Sequence, residues 1–273
     1  HGRSIGALAC SRSNPQHKWP FPSFSNWPMM PFPRYQYPLD QNLNFNRLED
    51  EECLQFFRNW LEVDSQQMSS CGVIVEPIQC EGGDNHASKF FFQNIRELCL
   101  KYDIPFVVDE VQTGLGTGKV YAHEHWELKT PPDVVLFTKK FQAGGLFYHE
   151  NLDPIEPYAF NSTWAGDVVS GERLRTILQV IEEDDLLRHS TRIGNLLYDG
   201  LSNLDGVRNV RHLGSLGAFD VEDRSSVISR LQTEEHILVG PCGMQNSIRL
   251  RPTLILSATE VSQFLDSLQR ILK

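Results

Sequence analysis

Residues 133–145 read DVVLFTKKFQAGG. Val134–Phe137 is a continuous, β-branched apolar run of the kind that forms a buried parallel strand. It passes through Thr138 into two adjacent lysines, Lys139 and Lys140, and three residues later into a glycine pair. Two ammonium groups at a strand end mark either a solvated terminus or a reactive amine. Upstream lie two runs of the same texture, PFVVDE (105–110) and CGVIVEP (71–77). Between them, SKFFFQNIRELCLKYD (88–103) places Phe91, Ile95 and Leu98 on one helical face. Glu76, Asp109 and Lys140 therefore close three strands at intervals of about thirty residues, the length of a βαβ unit. This predicts a mostly parallel sheet, and ligands of such sheets bind beyond the carboxyl ends of the strands. Three ionisable groups at three such ends form a candidate site.

From residue 168 the texture changes. Leu174, Ile177, Leu178 and Ile181 recur at helical spacing, followed by short strand-like runs, GAFDV (217–221) and SIRLRPTLIL (247–256). A last helix, SATEVSQFLDSLQRILK (257–273), opens with Ser257 and Glu260 at capping-box spacing. The expectation is an α/β protein with a large unit over 1–167 and a smaller α/β unit over 168–273. Residues 19–38 hold six prolines among seven aromatics; they read as an irregular loop pinned onto a core, since a linker would be polar.

Composition narrows the chemistry. Of 273 residues 40% are hydrophobic, an ordinary globular share. Thirty-five acids against 25 bases give a formal charge of -10, which speaks against nucleic acid as a partner. No apolar run reaches the length of a membrane span. The six cysteines form no C-x-x-C pair and read as reduced thiols of an intracellular protein. HEH at 123–125 is too sparse for a metal site, and no metal is expected. QTGLGTGK (112–119) fits neither G-x-G-x-x-G nor G-x-x-x-x-G-K. Asn161-Ser162-Thr163 is a glycosylation triplet of a kind common by chance.

A lysine attacks a carbonyl only when uncharged, and a neighbouring cation or burial lowers its pKa. Lys139 and Lys140 could do this to each other. The imine so formed needs an electron sink such as pyridoxal phosphate (PLP), whose ring nitrogen a carboxylate must keep protonated. Asp109 is a carboxylate on the right kind of element.

The stretches IVEPIQCEGGDNH (74–86), FVVDEVQTG (106–114), AHEHW (122–126), DVVLFTKKFQAGG, NSTWAGD (161–167) and SIRLRPTL (247–254) resemble the class III aminotransferases of PLP fold type I. HGRSIG (1–6) and SFSNWPMMPFPRYQYPL (23–39) are similar to the branch acting on 4-aminobutyrate. The resemblance implies the C-terminal part of a fold type I large domain followed by a small domain. It implies transfer of the amino group of 4-aminobutyrate to 2-oxoglutarate, giving succinate semialdehyde and glutamate. L-lysine 6-aminotransferases share several of these motifs and stand as the alternative, beside a non-catalytic relative.

The family's imine lysine lies three residues before a Gly pair, which selects Lys140. Asp109 is implied to pair with the PLP ring nitrogen and Gln112 to sit near its phenolic oxygen. Thr163 is implied to reach the phosphate of a partner subunit's cofactor, so a homodimer is implied. Arg3 would grip the carboxylate of 4-aminobutyrate, Arg249 the α-carboxylate of 2-oxoglutarate, and Glu81 would mask Arg249 while a monocarboxylate is bound. A mitochondrial matrix location is implied for a eukaryotic source, a cytoplasmic one otherwise. The loop after Gln112 is one residue shorter than the family pattern. The family's Gly-rich phosphate loop and the cysteines proposed for an iron–sulfur cluster would lie upstream of His1. The chain therefore reads as N-terminally truncated, and is expected to be inactive alone.

Overall fold

A computed structural model describes residues 1–11, 27–67, 70–153, 156–159, 162–244 and 246–273. Strands β1 (Val73–Val75), β2 (Phe106–Asp109) and β3 (Val134–Phe137) pair in parallel, as the spacing predicts. β4 (Gly145–Tyr148), which the sequence did not announce, adds an antiparallel edge to β3, giving the order β1-β2-β3-β4. The expectation of uniform burial holds only for part of this sheet. Phe106, Val108 and Asp109 of β2 are buried, whereas Ile74 on the edge strand β1 is exposed.

A short helix, α1 (Ile5–Cys10), begins at Ser4, whose hydroxyl accepts the Ala7 N–H. The long helix α2 (Leu43–Gln67) and α3 (Lys89–Lys101) supply the core around β2. Leu54, Phe57 and Leu61 meet Phe91, Ile95 and Leu98 there, and Phe92 stacks on Trp126 at 3.8 Å between ring centres. Arg96 is buried on the inner side of α3 and binds Asp133 through two bonds of 2.6 and 3.0 Å. Asp133 also accepts the Phe106 N–H, so one buried ion pair sets where β2 begins beside β3. Of the Pro- and aromatic-rich segment, 19–26 lies outside the described residues, as does Asn161 of the glycosylation triplet. Phe32, in its described part, packs edge-on against Phe91 at 5.5 Å.

Beyond residue 167, α4 (Val168–Glu183) and α5 (Leu186–Ser202) lead into a second sheet. Asp167 caps α4 through the Val169 and Ser170 N–H groups. On α4, Ile181 is buried and Leu174 and Ile177 pack against the cluster around Phe141, while Leu178 turns outward. The second sheet contains β5 (Arg208–Leu213), β6 (Leu216–Asp220), β7 (Gly240–Cys242) and β8 (Ser247–Leu250), all antiparallel in the order β5-β6-β8-β7. With α5, α6 (Arg224–Glu234) and α7 (Ala258–Leu272) it encloses a core of Ile193, Leu201, Phe219, Ile248 and Leu268. The expected capping box is present: Ser257 Oγ accepts the Glu260 N–H at 3.2 Å, and Glu260 accepts the Ser257 N–H at 2.7 Å. The strand expected over 247–256 stops at Leu250, just before Pro252, which has no N–H to give a ladder.

The glycine-rich loop 112–119 has a packing role. A side chain at Gly116 would come within 2.6 Å of Leu216, so only glycine lets the β5–β6 hairpin dock there. The Ser215 N–H donates to the Gly116 carbonyl at 3.1 Å and seals the contact. This contact brings β8 and the residues after it over the carboxyl ends of β1 to β3. No helix among the described residues is long and apolar enough to cross a membrane.

Candidate active site

The ends of β1 and β2 bring Glu76 and Asp109 to His1, and the end of β3 brings Lys140 to a cavity that neither carboxylate lines. Asp109 is buried at the end of β2; its Oδ1 accepts the Val111 N–H at 3.0 Å. Its Oδ2 lies 2.8 Å from the His1 ring Nδ1. Glu76, at the end of β1, lies 3.6 Å from the same ring. Burial and the charge of Asp109 push its carboxyl up to about 8. After β3, Lys139, Lys140 and Phe141 form a single 3-10 turn. Phe141 is buried and anchors this turn, Lys139 is exposed in a left-handed conformation (φ 52°), and Lys140 turns inward. The Lys140 Nζ donates to the Pro252 carbonyl at 2.8 Å.

Burial, and then the charge of Arg251, pulls the Lys140 amine below its ordinary pKa. This corrects the expectation that the two lysines depress each other: the cation facing Lys140 is Arg251. The charge of Lys139 instead bears on Glu81.

Lys140 lines a cavity of about 710 Å³ together with Glu81, Gln112, Lys139, Arg249 and Arg251. Glu81 and Arg249 form an ion pair across it. Burial raises the Glu81 carboxyl, but Arg249, Gln112 and Lys139 outweigh it and hold the group below its usual range. Gln112 donates its amide Nε2 to Glu81 at 3.3 Å and accepts from Arg251 Nε at 3.0 Å.

Among the described residues, then, the structure brings Glu81, Gln112, Lys140 and Arg249 to one cavity, with Asp109 three residues before Gln112 on the same strand end. Arg3, exposed before α1, and Thr163, exposed on the turn before α4, do not line it.

Sequence reasoning missed Arg251 and Asp84. Arg251 pairs with the fully buried Asp84 and also donates to the Gly217 carbonyl at 3.1 Å. The signal was present in R-L-R: residues two apart on an extended strand share a face, so Arg249 and Arg251 point the same way. Among the described residues no group of three or more His, Cys, Asp or Glu is placed to hold a metal ion, and no disulfide is formed. His125 bonds the Thr117 carbonyl at 3.0 Å and His123 the Glu110 carboxylate at 3.0 Å.

The model of the class-III aminotransferase family matches residues 1–272. The chain belongs to the class-III aminotransferases. It is 40% identical to the mitochondrial 4-aminobutyrate aminotransferase of Sus scrofa and 38% identical to the 4-aminobutyrate aminotransferase of Dictyostelium discoideum. Both alignments cover all of this chain and 56% of the relative, so the chain spans about half the length of the curated relatives it matches. The lysine aminotransferase of M. tuberculosis superposes with a TM-score of 0.90 at 31% identity, over 100% of this chain and 64% of that one. The fold is thus α/β, as the strand spacing predicts, and the PLP fold type I that the family resemblance implies.

Class-III aminotransferases depend on PLP, and the donor set fits that cofactor. A carboxylate buried at the end of a strand suits a pyridinium N–H, which it would keep protonated. A half-buried lysine held by a carbonyl and depressed in pKa suits imine formation.

Proposed function

We propose that the protein transfers the amino group of 4-aminobutyrate to 2-oxoglutarate, giving succinate semialdehyde and glutamate. The Glu81–Arg249 pair across the cavity carries this reading. An enzyme that accepts first a monocarboxylate and then a dicarboxylate needs an arginine present throughout but available only in the second half. A half-buried guanidinium left without a counterion is costly, so a mobile carboxylate that covers it and then withdraws meets the need.

PLP, when bound, supplies an electron sink for the charge left when the substrate carbon loses its proton. Lys140 and Asp109 would hold it, with Gln112 near its phenolic oxygen and Thr163 reaching the phosphate across a homodimer. In the donor half, Lys140 Nζ takes a proton from the amino-bearing carbon of 4-aminobutyrate and later returns one as an acid. Burial, and then the charge of Arg251, lowers the pKa of that nitrogen and so favours the uncharged form that can act as a base. The family resemblance assigns the donor's carboxylate to Arg3, which lies outside the cavity here and would have to approach it, while Glu81 stays on Arg249. In the acceptor half, Glu81 withdraws and Arg249 binds the α-carboxylate of 2-oxoglutarate with two parallel bonds. The mitochondrial names of mammalian relatives support a mitochondrial location for a eukaryotic source.

The likeness to a lysine aminotransferase favours a second reading, with L-lysine as donor. Single-turnover rates of the full-length protein with each donor separate the two. A faster reaction with 4-aminobutyrate supports the first; a clear preference for L-lysine replaces it.

A charge-assisted, bidentate grip shifts affinity by roughly two orders of magnitude. Arg3→Ala should therefore raise the KM for 4-aminobutyrate about 100-fold and that for 2-oxoglutarate much less. Arg249→Ala should show the opposite split. Steady-state KM values with each substrate varied in turn check this, and equal effects of both variants on both substrates would contradict it.

A further inference from the structure

Five side chains form one continuous chain of contacts beneath the cavity. Asp84 holds Arg251, Arg251 Nε donates to Gln112 Oε1 at 3.0 Å, Gln112 Nε2 donates to Glu81 Oε1 at 3.3 Å, and Glu81 pairs with Arg249. Arg251 cannot swing within this chain. Its Nη1 also donates to the Leu250 and Gly217 carbonyls at 2.9 and 3.1 Å, and its counterion Asp84 has no exposed surface.

A primary amide can face either way, but a guanidinium is only a donor. Arg251 therefore requires the oxygen end of Gln112. The NH₂ end must then face Glu81, whose ionised carboxylate is only an acceptor. The same bond seats Glu81 on the side of the cavity where it covers Arg249. When Glu81 withdraws it gives up both Arg249 and Gln112, so the amide adds to the hold on the covered state.

We propose that Arg251 is a positioning residue for carboxylate selection: anchored on Asp84, it orients the Gln112 amide toward Glu81 and so sets how readily Glu81 uncovers Arg249 for a dicarboxylate. This rests on the reading of Glu81 and Arg249 given above. Lysine could not replace Arg251, since its point charge lacks the fork that reaches Asp84, Gln112 and two carbonyls together.

The test is calorimetric titration of the full-length, PLP-loaded protein with glutarate, a dicarboxylate, and with butyrate, a monocarboxylate. A hydrogen bond to a charged group is worth about tenfold in an equilibrium. Arg251→Lys should raise the ratio of glutarate to butyrate affinity about tenfold, and Gln112→Met, which removes the relay without touching the Asp84 pair, should do the same. In a Glu81→Gln background both effects should vanish, because the group through which they act is gone. Should Arg251→Lys fail to fold, Gln112→Met carries the test alone. An unchanged ratio in the variants, or the same tenfold shift with and without Glu81, overturns the proposal. If Glu81→Gln by itself leaves the ratio unmoved, the masking role of Glu81 fails and this proposal falls with it. A ratio that responds to Glu81→Gln but to neither Arg251→Lys nor Gln112→Met leaves the masking role standing and refutes the relay alone.

Discussion

Lys140→Ala is expected to lower transamination by the full-length protein by more than about 10⁴-fold, because proton transfer by a placed side chain alone contributes roughly 10²–10⁴ and the imine anchor is lost as well. Lys139→Ala should stay within a few-fold of the parent. The two lysines are adjacent in sequence and both border the cavity, but Lys140 turns inward to the Pro252 carbonyl whereas Lys139 is exposed. Single-turnover rates with 4-aminobutyrate measure both. Equal losses in the two variants would show that the turn after β3 matters as a charged surface rather than as the support of one amine.

Asp84→Asn should reduce stability by about 3 kcal/mol. Asp84 is completely buried and is the counterion of Arg251, whose side chain is itself largely covered. Removing Asp84 as a partner leaves the largely covered Arg251 charge without its counterion. Asparagine is the right probe because Asp84 sits in the left-handed region (φ 56°), where asparagine is tolerated and alanine would add backbone strain of its own. Urea unfolding followed by circular dichroism measures the change as a lower midpoint at an unchanged slope. A loss below about 0.5 kcal/mol, the scale of an exposed ion pair, would contradict the burial argument.

Much of the fold was legible because its strongest signals are local. Three β-branched runs about thirty residues apart leave few topologies, and parallel β1, β2 and β3 follow from them. The capping box at Ser257 is also where the spacing puts it. Less legible was anything defined by a distant partner. β4 is a strand because β3 offers it an edge, and its GLFY sequence carries no alternation of its own. α2 escaped notice because its apolar stripe, Leu54, Phe57 and Leu61, is interleaved with acids and with exposed Phe45 and Phe56. The cavity residues Lys140, Gln112, Glu81 and Arg249 were reached through motif resemblance. Their shared position depends on a hairpin docking on Gly116, which no periodicity encodes. Arg251 stayed hidden for the same reason: its partners Asp84 and Gln112 are both more than a hundred residues away. The identity of the cation that lowers the Lys140 pKa could only come from the folded arrangement.

The most direct test of the central claim is to load the full-length protein with PLP, reduce it with borohydride and map the pyridoxyl label by peptide mass spectrometry. The structure predicts one labelled position, Lys140, within the peptide that follows β3. A label on Lys139, or no covalent label at all in a protein that has retained its fold, would contradict it.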